Sequence, residues 1–166
     1  MAATLTVRVA RPNDLQTLDT MFARSYPALL KNDYPPSIMV TAVPVIARAN
    51  PRLLASGTYY VVQSDGDIVG GGGWTRAAPV GPTRSKTAHV RHLVTDHRRT
   101  REGIGRTLIE RIIADAAASG ARTLECHSTR TARPFYAACG FRELDRIDVP
   151  LGAGIVFPAI RMIRRL

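Results

Sequence analysis

The stretch TYYVVQSDGDIVGGGGW, Thr58 to Trp74, limits what this chain can fold into more than any other segment. Two apolar runs flank Asp65-Gly66, a dipeptide suited to the tight turn of a β-hairpin. The second run ends in four consecutive glycines, Gly70 to Gly73. Glycine inside a strand packs nothing and weakens the strand. A run of it therefore predicts a bulge, or a neighbouring backbone that comes unusually close. The chain must hold a sheet whose middle is pressed by other elements.

The rest of the sequence supplies those elements. Leu5, Val7 and Val9 alternate with polar residues and predict a half-buried strand. Leu15, Leu18, Met21 and Phe22 repeat at helical spacing. The segment Tyr26 to Ser37 carries three prolines, which predicts that no long helix crosses it. Ser37 opens a second helix through Ile46 that Pro44 interrupts. A strand over 88–95 follows a loop. A helix from Ile104 to Ala117 stops at Gly120, and a strand spans Thr123 to Ser128. A short helix ends at Gly140, and two strands, near Phe141–Val149 and Ile155–Ile163, close the chain. The order β-α-α-β-β-β-α-β-α-β-β makes one α/β (α+β) domain over residues 1–166, with a sheet of about seven strands.

The chemistry gathers in HRRTREGIGRTLIERI, His97 to Ile112, where arginines meet Gly103 and Gly105 at the mouth of a helix. Unpaired N–H groups and the positive end of the helix dipole make such a place an anion site. Three readings fit: a nucleotide phosphate, a nucleic-acid backbone, or a tight turn. No Gly-Lys-Ser/Thr follows, and Leu108 stands where a dinucleotide fingerprint needs its third glycine. A net charge of +10, from 23 basic and 13 acidic residues, favours anionic ligands of any of these kinds. No nucleic-acid motif is recognised, so nucleic acid is not the expected partner. Cys126 and Cys139 have no zinc spacing, and His89 and His92 fall on opposite faces of a regular strand, so no metal is expected. No apolar run approaches a membrane span, and MAATLTVRVARP lacks the pattern of a secretory leader; the expectation is a cytoplasmic protein.

Taken in order, VRHLVTDH, REGIGRTLI, a long amphipathic helix, a strand and ARPFYAACGF resemble the GNAT superfamily of acetyl-CoA-dependent N-acetyltransferases. The resemblance is specific over about Val90 to Phe141. It implies a mixed, mostly antiparallel sheet with helices on both faces. It also implies a splay between the strands near 88–95 and 123–128. Backbone groups of Leu93, Val94 and Thr95 would pair with the pantetheine arm of acetyl-CoA, with the Val94 N–H on the thioester carbonyl. The loop of Arg101, Glu102, Gly103, Ile104, Gly105 and Arg106 would cradle the pyrophosphate. Tyr136 matches the tyrosine that protonates the departing thiolate. Thr131 stands where the family often has Asn, and Thr100 where it often has Arg or Gln.

A protonated amine must lose a proton before it can attack a thioester. His89, His92, Glu125 and His127 lie on the two strands of the splay, and His92 is the preferred base. The acceptor, a primary amine of a small molecule or peptide, would be shaped by Tyr26 to Pro36 and Pro150 to Pro158. Tyr26, Tyr34 and Trp74 are candidate lining residues. The expected reaction is direct attack in a ternary complex; a homodimer is an open alternative to a monomer. A non-catalytic acyl-CoA sensor on the same fold is the main competing reading, and a nucleic-acid-binding protein the lesser one.

Overall fold

The computed structural model describes residues 4–166; residues 1–3, the start of the segment read for a leader, lie outside them. One seven-stranded sheet runs in the order β1-β2-β3-β4-β5-β7-β6. Its strands are β1 (Leu5–Val9), β2 (Tyr59–Ser64), β3 (Asp67–Thr75), β4 (Thr87–Thr95), β5 (Thr123–Ser128), β6 (Arg142–Gly152) and β7 (Ile155–Arg165). Every neighbouring pair is antiparallel except β4 and β5.

Helices cover both faces. On one side α1 (Leu15–Leu30), α2 (Pro36–Thr41), α3 (Val43–Ile46) and α4 (Pro51–Leu54) shelter a core that joins Leu18 and Phe22 to Tyr59, Val61 and Val94. On the other, α5 (Ile104–Ala118) and α6 (Arg133–Ala138) close over Ala88, Val90, Leu124, Cys126 and Met162. Leu108, Ile109, Ile112 and Ala116 form the buried stripe of α5.

The four glycines each admit a different neighbour. A Cβ on Gly70 would stand 2.6 Å from a methyl of Ile104 on α5. One on Gly71 would stand 2.9 Å from the Tyr59 hydroxyl, and one on Gly72 3.1 Å from Leu93. At Gly73 a Cβ would run into the Thr58 carbonyl. The expected bulge is present just before the glycines, where Val62 pairs with Gly70 and Gln63 with Ile68 so that β3 carries an extra residue, and a second bulge lies in the partner strand β4. Gly71 pairs with Val94 while Gly73 pairs with Arg91, so β4 carries the additional residue. His92 takes up the irregularity with φ of 52°.

That bulge changes the phase of β4. Ala88 and Val90 pack under α5, yet His92 lies against Phe22 of α1, with ring centroids 4.6 Å apart. His89 and His92 therefore share the α1 side, contrary to the opposite faces of a regular strand. Among the described residues no group of His, Cys, Asp or Glu is placed to hold a metal. Two other expectations need correction. Helix α1 continues through Pro27 to Leu30, because burial of Tyr26 and Leu30 outweighs the roughly 3 kcal/mol that an interior proline costs. The Trp74 side chain is buried and its indole N–H donates to the Tyr60 hydroxyl, so it is core rather than a lining residue.

Candidate active site

Strands β4 and β5 stay together for three residue pairs only: Thr87 with Thr123, Ala88 with Leu124, His89 with Glu125. Beyond His89 they part, and the expected splay opens. Backbone groups alternate sides along a strand. The Asp96 N–H reaches the Val69 carbonyl of β3, so the Val94 N–H points the same way. Leu93 and Thr95 instead turn their amides into the fork. The Val94 N–H, to which the resemblance gives a role, thus faces β3 rather than the fork.

The fork leads into a cleft of about 670 Å³. Leu93, Val94 and Thr95 form one wall, the segment from Thr100 to Arg106 the mouth, and Thr131 with Phe135 the far side. Gly103 adopts φ of 80° immediately before α5, and space around its missing Cβ is open. Gly105 serves packing as well: a Cβ there would press on the Phe135 ring at 3.1 Å.

Charge in the loop is divided. Arg98 bonds to Asp96 at 3.0 Å, and Arg24 of α1 reaches the same carboxylate at 3.0 Å. Arg99 pairs with Glu102 at 2.9 Å, so the Glu102 carboxylate is occupied and only its backbone remains for a ligand. Arg101 and Arg106 are exposed and, among the described residues, have no carboxylate partner. These two guanidiniums and the adjacent amides suit a pyrophosphate. The cleft thus has the charge, the room and the free strand edge that an acylated CoA needs.

Helix α6 forms the back of the cleft. Its Phe135 lines the space, whereas Tyr136 is buried between Phe135 and Phe141, with centroids 5.3 Å from each. Burial raises the Tyr136 phenol well above its usual range, so the hydroxyl keeps its proton at any physiological pH. The Thr131 hydroxyl donates to Asp33 at 2.6 Å. Beside it the Arg130 N–H donates to the Tyr34 hydroxyl, which donates to the Pro158 carbonyl. Tyr34 is therefore a strut between the end of α1, the loop after β5, and β7. Tyr26 does line the cleft.

His92 lines neither this cleft nor the smaller cavity at the foot of the fork. Its Nε2–H donates to the Ile46 carbonyl at 2.8 Å, and the Tyr59 hydroxyl donates to its own carbonyl at 2.8 Å. Burial lowers its imidazole to about 4. These contacts pin the bulge.

The smaller cavity, about 270 Å³, opens on the α1 side of the sheet. His89, Glu125, His127 and Arg161 line it, together with Arg84 from the loop before β4. Leu124 and Cys126 pack under α5, so Glu125 and His127 must face the opposite way. Glu125 is 6% exposed, and its carboxylate stands 3.8 Å from both His127 and Arg161, too far for a hydrogen bond. His89 is buried and its Nε2 has no partner. Burial lowers both imidazoles, and each is neutral at pH 7. Sequence reasoning names three of these residues as bases but misses Arg84 and Arg161, which only the tertiary fold brings to them.

Comparison with known proteins agrees with this architecture. The chain matches the Acetyltransferase (GNAT) domain over residues 37–161. A GCN5-related N-acetyltransferase from Rhodopseudomonas palustris aligns over 100% of this chain and 98% of its own, at 20% identity and a TM-score of 0.80. The PaiA N-acetyltransferase from Thermoplasma acidophilum, solved with coenzyme A, aligns over 98% and 99%, at 15% identity and a TM-score of 0.73. N-acetylglutamate synthase from Neisseria gonorrhoeae, solved with coenzyme A and N-acetyl-glutamate, aligns over 100% of this chain and 36% of its own, at 17% identity and a TM-score of 0.66. No curated protein matches the chain. With the forked parallel pair, the glycine loop at α5 and the family match over most of its length, the chain belongs to the GNAT acetyltransferase family and is an acyltransferase of that type.

Proposed function

We propose that the protein transfers the acetyl group of acetyl-CoA to a primary amine by direct attack in a ternary complex. The observation that carries this reading is the fork: a parallel strand pair that parts after three residue pairs and opens onto a glycine loop with two unpaired arginines. Leu93 and Thr95 present backbone groups to the pantetheine arm. Arg101, Arg106 and the amides from Gly103 onward hold the pyrophosphate.

Two cavities at the fork, the larger at its open end and the smaller at its foot, support attack without a covalent enzyme intermediate. One takes the donor and the other the acceptor, and the reacting atoms meet where the strands part. An acylated cysteine is a poor alternative, because burial raises the Cys126 thiol far above the range in which a thiolate forms. In the reaction the amine nitrogen forms a bond to the acetyl carbon and the carbon–sulfur bond breaks. Tyr136, protonated throughout, supplies the proton that the CoA sulfur needs.

The test is release of CoA thiol from acetyl-CoA in the presence of a panel of primary amines. Turnover that depends on both substrates, with an initial-rate pattern of intersecting lines, is the expected result. A parallel-line pattern would replace direct attack by a ping-pong route. Binding of acetyl-CoA without turnover of any amine would favour a sensor on the same fold.

A further inference from the structure

We propose that the cavity at the foot of the fork is the acceptor site for a small zwitterion, an amine that also bears a carboxylate, with Glu125 receiving the ammonium, His127 taking its proton and Arg84 holding the acid end. The inference rests on the acetyltransferase reading and adds to it the class of acceptor and the base.

Three observations support the site. Glu125 is a buried carboxylate that accepts no hydrogen bond, since its nearest cations, on Arg161 and His127, stand 3.8 Å away. Such a group is costly to bury unless something pairs with it. Arg161 pairs with it only loosely, through Nη1 at 3.8 Å, because its Nε is held by Asp145 at 2.8 Å. An ammonium pairs with it closely, with a charge-assisted hydrogen bond to each free oxygen. Second, the unpartnered Nε2 of buried His89 lies in the same wall and also lacks a ligand. Third, Arg84 is exposed at the rim and, among the described residues, pairs with no carboxylate.

Size and charge then select the ligand. The volume of about 270 Å³ falls below the roughly 300–1,000 Å³ of drug-sized sites, which suits a molecule on the scale of an amino acid. Ala78, Val80, Pro82, Ile147 and Val149 give the middle of the cavity an apolar lining for its carbon chain. Arg161 is committed to Asp145; of the other charged side chains in the lining, Glu125 lies buried, while Arg84 and Asp148 are both exposed at the rim. A plain alkylamine leaves Arg84 unpaired, whereas a diamine sets its second ammonium between Arg84 and Asp148, so better use of diamines than of amino acids also overturns the acceptor class.

The proton balance closes. His127 lies two residues beyond Glu125, past the last paired position of β5, and so on the wall of the fork itself. Its neutral ring accepts one proton from the ammonium and releases it to solvent. The freed lone pair attacks the thioester carbon, and the carbon–sulfur bond breaks. The second nitrogen proton replaces the one that Tyr136 has given to the departing sulfur. Amide, CoA thiol and one proton result.

The experiment compares α- and ω-amino acids with their carboxamides and with the matching decarboxylated amines, at saturating acetyl-CoA. Amino acids should exceed their decarboxylated partners at least tenfold in kcat/KM. Arg84→Ala, a change at an exposed side chain that does not threaten the fold, should remove that preference. Glu125→Gln should raise the KM for the amino acid, and His127→Gln should lower kcat about a hundredfold with KM little changed. Activity of His127→Gln should recover as pH rises, because more of the amine is then already neutral. Equal use of amino acids and plain amines overturns the acceptor class, as does an unaltered preference in Arg84→Ala. Unchanged kinetics in Glu125→Gln and His127→Gln overturn the site. If acetyl-CoA raises the melting temperature but no member of the panel is acetylated, the zwitterion proposal fails and the family reading stands. If acetyl-CoA does not bind at all, the acetyltransferase reading itself fails.

Discussion

Tyr136 is the residue on which the proposed protonation of the CoA sulfur depends. Its ring packs between Phe135 and Phe141, and the apolar surroundings hold the hydroxyl in its protonated form. Tyr136→Phe keeps the ring and removes only the oxygen, so fold and acetyl-CoA affinity should survive. Single-turnover acetylation should fall about 10²–10⁴-fold, the usual worth of a positioned general acid. An unchanged rate in that assay, where product release cannot mask chemistry, leaves Tyr136 as a packing residue. His92 offers the contrast. The sequence places it on the right strand at the right distance from the loop, and that proximity makes it the preferred base. A left-handed backbone at a histidine has no sequence signature, so the glycine run announces a bulge but not one at His92 that turns its ring under α1.

At the scale of elements, the loop before α5 is fastened from outside. Asp96 is 2% exposed and accepts hydrogen bonds from Arg24 of α1 and from Arg98, while the His97 N–H donates to Ser25 of α1. Burial works to raise the Asp96 carboxyl, but the hydrogen bonds from Arg98 and Arg24 together outweigh it and hold the group well below the usual carboxylate range. A depressed folded value means that stability is fully present above the unfolded pKa of about 3.9 and is lost as pH falls below it. Asp96→Asn should therefore flatten the fall in melting temperature between about pH 4 and pH 2. With the charged link from Arg24 of α1 to the loop weakened, affinity for acetyl-CoA should drop about tenfold, or roughly 1.4 kcal/mol. A variant with the wild-type acid limb and affinity would show that the loop holds itself. The elements themselves are largely legible in the sequence: the Asp65-Gly66 turn, the strand alternations and the stripe of α5 all follow from local pattern. Exceptions arise where distant packing overrides local preference, as at Pro27 inside α1. The donor cleft is legible because its loop and walls run almost continuously in sequence. The acceptor cavity is not, because Arg84, Glu125 and Arg161 come together only through the crossing of β4, β5 and β7.

For the whole molecule, the +10 charge favours the same class of anionic ligand as the loop at the head of α5. No helix among the described residues is long and apolar enough to cross a membrane. A donor bound only to the native state stabilises it by mass action, about 2.7 kcal/mol at 100 times its dissociation constant. For a chain of this size that corresponds to a rise in melting temperature of roughly 5–11 °C. Part of the binding comes from the exposed pair Arg101 and Arg106, whose attraction for the pyrophosphate is screened as salt rises. The pantetheine contacts are neutral and lie inside the fork, so salt should leave them alone. Acetyl-CoA should accordingly give a large shift at low ionic strength and a smaller one at about 0.5 M salt, where the screening length falls below about 5 Å. Acetyl-pantetheine, which lacks the pyrophosphate, should give a small shift that salt does not change. Reversing the charge in Arg101→Glu/Arg106→Glu should bring the acetyl-CoA response down to that of acetyl-pantetheine. An acetyl-CoA shift that is insensitive to salt and to the double variant would remove these arginines from the phosphate site, leaving the backbone amides at the head of α5 to hold the ligand alone.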